Sequence, residues 1–191
     1  MEIVGLLIGI PLGVLASLIA WWVVAHFVVP KLEFSPDISR ISRPEKPSGM
    51  TYRIKFKNSG MRDIIDVEVF AELRIKGLNS EVPDNYEITR IYIDDPRMPI
   101  IRSGISKLIS LRPELTDRFD KPIFGQIINQ KRQSETLMME DLLESGESAT
   151  LTVYVFCYDR WSGSRKMYES NKYILSDIRS GRWNGMRVGK K

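Results

Sequence analysis

Few side chains in this chain could do chemistry. The one histidine, His26, lies near the end of an apolar run from Ile3 to Val29, and the one cysteine, Cys157, lies among Val, Tyr and Phe. A histidine so placed has two readings open: a pore or proton role inside a membrane segment, or a polar tip reaching for the interface. The rest of the chain holds no histidine, which excludes a His-based triad, a zinc tetrad and a redox CxxC pair there. Neither GxxxxGK[ST] nor GxGxxG occurs. The carboxylates of Asp84–Asp95 are scattered, and read as solvated charges rather than a calcium site or an acid/base pair. Cys157 reads as an inert core thiol. The chemistry therefore points away from an enzyme, with no catalytic residue, no metal and no cofactor expected.

The element that must position everything else is the run Ile3–Val29, which has no Asp, Glu, Lys or Arg. A bilayer core of roughly 30 Å takes about 20 apolar residues at about 1.5 Å each, so the run reads as a transmembrane helix over residues 3–29. Only Met1 and Glu2 precede it, whereas Lys31, Arg40, Arg43 and Lys46 follow it. The positive-inside rule then places the chain as a single-pass inner-membrane protein, N-terminus outside and soluble domain cytoplasmic. The lone cysteine and the lack of an Asn-x-Ser/Thr sequon agree with this. Lys31, Arg40 and Arg43 become candidate lipid contacts.

Gly5, Gly9, Gly13 and Ser17 recur every fourth residue and share one helix face. Such a row lets a second backbone approach closely, so these four are the candidate oligomerisation residues; glycine is also simply common in membrane helices. Pro11 is a candidate kink, and Trp21 and Trp22 are candidates for an interfacial aromatic belt.

Lys and Arg total 28 against 24 Asp and Glu. The surplus falls at the end: Arg179, Arg182, Arg187, Lys190 and Lys191 have no acid among them. The body over 31–178 is neutral, which argues against a nucleic-acid partner. The basic end suits either anionic lipid or a solvated tail.

Residues 30–49 read as a connector, since Pro36, Pro44 and Pro47 prevent a helix. From residue 50 strands dominate. Tyr52–Lys57 alternates apolar with basic, and Asn58-Ser59-Gly60 supplies turn residues. Ile65, Val67, Val69, Ala71, Leu73 and Ile75 then share one face of a long strand, read as the hairpin partner of the first. Glu87–Asp94 and Ile105–Leu111 follow, then a short helix within Thr136–Ser145, then a hairpin of Ala149–Tyr158 with Lys166–Ile174. The expected architecture is mainly β: a β-sandwich over 50–183 and a basic tail over 184–191.

The later motifs carry a resemblance. Tyr173-Ile-Leu-Ser-Asp177-Ile178-Arg-Ser-Gly181, followed by Trp183, resembles the closing stretch of inward-rectifier potassium channel cytoplasmic domains. Asp120-Lys121-Pro122-Ile123-Phe124 and Glu140-Asp141-Leu142 are similar to two further elements of that family. Lys55-Phe-Lys-Asn58 with Arg62 resembles its Arg-x-x-Asn-x-Arg strand end, and Pro30–Ser35 its segment joining pore helix to domain. The resemblance implies an immunoglobulin-like β-sandwich assembling as a tetrameric ring, with Asn58, Arg62, Asp120, Pro122, Tyr173, Asp177 and Gly181 as family-motif positions. The family's first membrane helix, pore helix and Thr-x-Gly-Tyr/Phe-Gly filter are missing. The expectation is an oligomeric regulatory or interaction module linked to ion transport, with membrane lipid and a membrane protein as partners. The alternatives are a minimal homo-oligomeric ion pore and a plain membrane-tethered scaffold.

Overall fold

The computed structural model describes residues 2–26, 29–43, 49–78, 84–115 and 137–189. Helix α1 runs Glu2–His26, with side chains described from Gly9 to Val24. The side chains at positions 5 and 26, and all of Asp120 and Pro122, lie outside the described residues. Among the described residues no helix is long and apolar enough to cross a membrane. The transmembrane reading of 3–29 is corrected on that ground. The inner-membrane placement, the outside N-terminus and the cytoplasmic domain were inferred from that span and go with it.

Beyond α1 the chain is mainly β. Its strands are β1 (Leu32–Phe34), β2 (Ile38–Ser42), β3 (Met50–Asn58), β4 (Ile64–Lys76), β5 (Tyr86–Asp94) and β6 (Arg97–Ile101). They continue as β7 (Ser106–Arg112), β8 (Ser148–Asp159), β9 (Arg165–Glu169), β10 (Ile178–Ser180), β11 (Trp183–Asn184) and β12 (Arg187–Val188). A short helix α2 (Met139–Leu143) precedes β8, and the Asp141 carboxylate accepts the Met138 N–H at 3.0 Å to start it. The sheet order is β10-β2-β3-β7-β5-β4-β8-β9, with β1 also on β3 and β6 also on β4; β11 and β12 form a separate hairpin.

Strand β4 is the spine. Its residues pair with β8 from Ile64↔Asp159 to Lys76↔Ser148, and its other edge takes β6 and then β5. Val67, Val69, Ala71, Leu73 and Ile75 are buried, as period-two alternation requires. The face changes at the strand's start. Asp66 has φ +49° and the register with β8 shifts between Ile65 and Glu68, a bulge that turns Ile64 inward instead of Ile65.

Both strands of the expected first hairpin exist, but they do not pair with each other. β3 pairs with β1, β2 and β7. The cause is Asn58, whose buried side-chain amide donates to the carbonyls of Arg62 at 2.8 Å and Ile101 at 3.3 Å. Its backbone exchanges bonds with Ile105 and Gly104, so the chain is led across to the other half of the sheet rather than back along β3. Strand β5 makes the second crossing, pairing with β4 through Ile91 and with β7 from Tyr92. The second hairpin forms as expected, from Tyr154↔Glu169 to Tyr158↔Arg165.

The stretch read as a connector carries β1 and β2, and the stretch read as a tail carries the β11–β12 hairpin. Both are too short and too polar to show periodicity, and gain their pairing only from strands far away in sequence. Side chains of both halves meet in one apolar core, with Tyr52, Ile54 and Phe56 on one side and Leu73, Val153 and Val155 on the other. Tyr173 closes it: buried, its hydroxyl donates to the Ser35 carbonyl at 2.6 Å, and burial pushes its pKa up to about 12. Truncating Leu73, at the centre of the spine, is expected to cost about 2–5 kcal/mol. A urea titration of Leu73→Ala should show that loss as a lower midpoint with an unchanged slope.

Candidate functional site

Two places on this framework hold side chains arranged for more than packing. The first is the mount of α1. Arg62, just before β4, donates through Nη2 to the Val24 carbonyl at 3.0 Å and through Nη1 to Asp159 at 3.0 Å, while its guanidinium lies 4.2 Å from the centre of the Trp161 ring. Tyr168 donates to the Pro30 carbonyl at 2.6 Å. A side chain at Gly60 would run into the backbone of Val29, Pro30 and Lys31, so only glycine lets the chain leave the helix along this path. Asp159 is buried, which raises its pKa. The Ser162 hydroxyl, the Trp161 N–H and the Arg62 guanidinium outweigh that and hold it below the usual carboxylate range.

The second place is a basic cleft at the β10–β2 end of the sheet. Arg53 stands on β3 opposite Ser39 of β2 and Ser110 of β7. Two adjoining cavities open beside it. One, of about 420 Å³, is lined by Ile41, Ser42, Arg43, Arg53, Arg182 and Trp183; the other, of about 370 Å³, adds Arg40, Met50, Ser180 and Gly181. Gly181 has φ +148°, and a Cβ there would meet the Gly189 carbonyl, so the chain can fold β11–β12 back over the sheet only through glycine. Burial, and then the charge of Arg43, lower the pKa of the Arg53 guanidinium from its ordinary value. Arg40 is neutralised by Glu140 at 2.7 Å and bonded to Ser180; the Tyr52 hydroxyl also donates to Glu140.

The residues singled out in the sequence scatter over these places. Gly9 and Gly13 lie on α1 with open space above them, and the Ser17 hydroxyl donates to the Gly13 carbonyl at 2.9 Å. Arg40 and Arg43 meet in the cleft, whereas Lys31 lies apart, its backbone carbonyl accepting from Ser59 and Gly60. Asn58 and Arg62 direct the crossover and the helix mount. Tyr173 fills the core, and Asp177 accepts the Ile174 N–H at 3.0 Å in a local turn. Cys157 is buried, and burial followed by the charge of Asp159 pushes its thiol up to about 11. Among the described residues no cluster of His, Cys, Asp or Glu could hold a metal ion. Sequence reasoning missed Arg53 and Asp159, and took Trp183 only as the aromatic closing the resemblance motif. Arg53 looked like one of three solvated bases on an alternating strand, and nothing local sets it apart.

No protein-family model and no curated protein matches the chain. Among solved structures it is similar to an ApaA-like protein of Bordetella pertussis, at 12% identity and a TM-score of 0.38, covering 76% of this chain and 92% of that one. It is also similar to Spo0M, a sporulation control protein of Bacillus subtilis, at 11% identity and a TM-score of 0.34 over 78% of this chain. The chain spans about half the length of Spo0M, 49%. Likeness this distant carries no argument about function. Neither of these neighbours is a potassium channel, and the inward-rectifier resemblance is corrected. Its described motif residues have local duties instead: an amide steering a crossover, a hydroxyl closing a core, a carboxylate holding a turn. The ion-transport reading that came with it is unsupported too, as is the membrane reading made from the apolar run.

The depressed Asp159 pKa has a definite sign. The carboxylate stabilises the fold above its unfolded pKa of about 3.9, and that contribution is lost as pH falls through its lower folded value. Asp159→Asn should therefore flatten the acid limb of a stability–pH profile between about pH 5 and pH 2. Arg62→Ala leaves a buried carboxylate unpaired and is expected to cost about 3–5 kcal/mol in equilibrium unfolding at neutral pH.

Proposed function

We propose that the chain is a non-catalytic interaction module that works as a homo-oligomer. In this reading the two halves of the sheet form an immunoglobulin-like β-sandwich, and copies associate through α1. The observation that carries it is the exposure of the helix. Ile10, Leu12, Val14, Leu15, Leu18, Ile19, Trp21 and Trp22 are each at least half exposed on a segment without a charged residue. A helix apolar all round has to be covered on every side, and a surface of this kind on one chain marks an association site. A second copy suits it: Gly9 and Gly13 leave room for another backbone, and Ser17 has turned its one polar group back onto its own helix. The mount built by Arg62, Tyr168 and Gly60 supports a fixed exit of the helix from the sheet, which a symmetric assembly needs.

The test is the mass of the full-length protein by light scattering, wild type beside Gly9→Leu. Wild type is expected to be a discrete oligomer and Gly9→Leu to dissociate at concentrations at least tenfold higher, both with the same β-rich circular dichroism spectrum. A monomeric wild type overturns the reading.

A further inference from the structure

The basic cleft holds positive charge that no carboxylate among the described residues neutralises. Arg43, Arg53 and Arg182 line one cavity, and none has a carboxylate partner among the described residues. The carboxylates carried by nearby elements are committed elsewhere. Asp37 takes Arg179 at 3.0 Å and the Val188 N–H at 3.1 Å, and Glu140 takes Arg40 and Tyr52. Arg53 is half-buried, so its charge is incompletely hydrated, and Arg43 repels it. Three guanidinium groups gathered without an anion disfavour the bare fold locally, and an entering anion removes that cost.

A second observation lies on the same wall. The Nε1 of Trp183 is buried without an acceptor among the described residues, although Trp183 lines the cavity with the three arginines. Buried indole N–H groups nearly always find a partner. Thr51, buried two residues before Arg53 on β3, also has an unpartnered hydroxyl. Uncompensated guanidinium forks and a neutral N–H donor are the groups that bind a tetrahedral oxyanion, whose oxygens accept several charge-assisted bonds at once. The adjoining cavity, walled by Ile41 and Met50 as well as Ser42 and Ser180, leaves room for the rest of a molecule.

We infer that this cleft binds the phosphate group of a small molecule, with Arg43, Arg53 and Arg182 as the charged donors and the Trp183 indole as the neutral one. The inference is independent of how copies associate, because no residue of α1 takes part. The shared chemistry is a phosphate group, free or on a glycerolipid headgroup, and the two sources need separate probes.

The experiment is a titration of the full-length protein followed by the indole N–H signals in a proton–nitrogen correlation spectrum, with Trp183→Phe identifying the signal. Inorganic phosphate should move the Trp183 signal downfield and saturably, and sodium chloride at equal ionic strength should not. Arg53→Gln and the exposed Arg182→Gln should each weaken the effect at least tenfold, while Arg53→Lys keeps part of it. Dioctanoyl phosphatidic acid below its micelle concentration is the second arm: binding at least tenfold tighter than inorganic phosphate assigns a lipid headgroup, and equal or weaker binding a soluble phosphate. No shift with either probe, the same shift with chloride, or a phosphate shift unchanged in Arg182→Gln overturns the inference. Arg182 is exposed on the connection after Gly181, so its variant folds whatever becomes of Arg53.

Discussion

The pairing of β4 along both edges is the constraint on which the rest depends. Ile64–Lys76 gives one edge to β8 and shares the other between β6 and β5. Its peptide groups are satisfied only if those three strands arrive in register. A single bulge at Asp66 then decides which side chains face the core. Without the extra residue Ile65 would point inward and Ile64 out, and the contacts of the sheet's end with Asp159 and Ile101 would be lost.

Two features convert that spine into a three-dimensional arrangement. Asn58 uses its amide to steer the chain from β3 into β4 without a hairpin, and β5 changes partners partway along its length. The two halves of the sheet therefore share a core while remaining continuous through hydrogen bonds. Close to the Asn58 crossover, Arg62 ties the end of α1 to buried Asp159 and to Trp161. A buried ion pair of this kind adds little net stability over an apolar replacement, yet it fixes geometry strongly, since either charge alone is costly. Its contribution here is to define how a wholly apolar helix leaves a polar domain.

At the opposite extreme of electrostatics stands the cleft under β11–β12. Among the described residues several charges elsewhere are matched: Arg62 with Asp159, Arg74 with Glu72, Arg97 with Glu68, Arg160 with Asp63. Beside Trp183 the three arginines have no carboxylate partner among the described residues, and the glycine at 181 folds the chain so that Arg182 joins Arg43 and Arg53 in lining one cavity. Helix and cleft thus share a physical character. Each leaves apolar surface uncovered or charge unpaired among the described residues.

The sequence by itself determined the local periods: the alternation of β3 and β4, the hairpin of β8 with β9, the short helix before β8, and the buried position of Cys157. These are legible because period-two patterning and turn residues act within a few residues of each other. It also showed the exposed apolar run and the glycine row, though not what covers them, and the motif set read as a channel resemblance misled, because short polar motifs recur wherever a turn or crossover needs the same hydrogen bond. Only the tertiary structure decided that β3 and β4 part company, that Asp66 reverses a face, that β1, β2 and the last hairpin join the sheet, and that Arg43, Arg53 and Arg182 converge. Each of those outcomes depends on long-range pairing and on which charges find partners, and neither quantity is written in any one stretch of the chain.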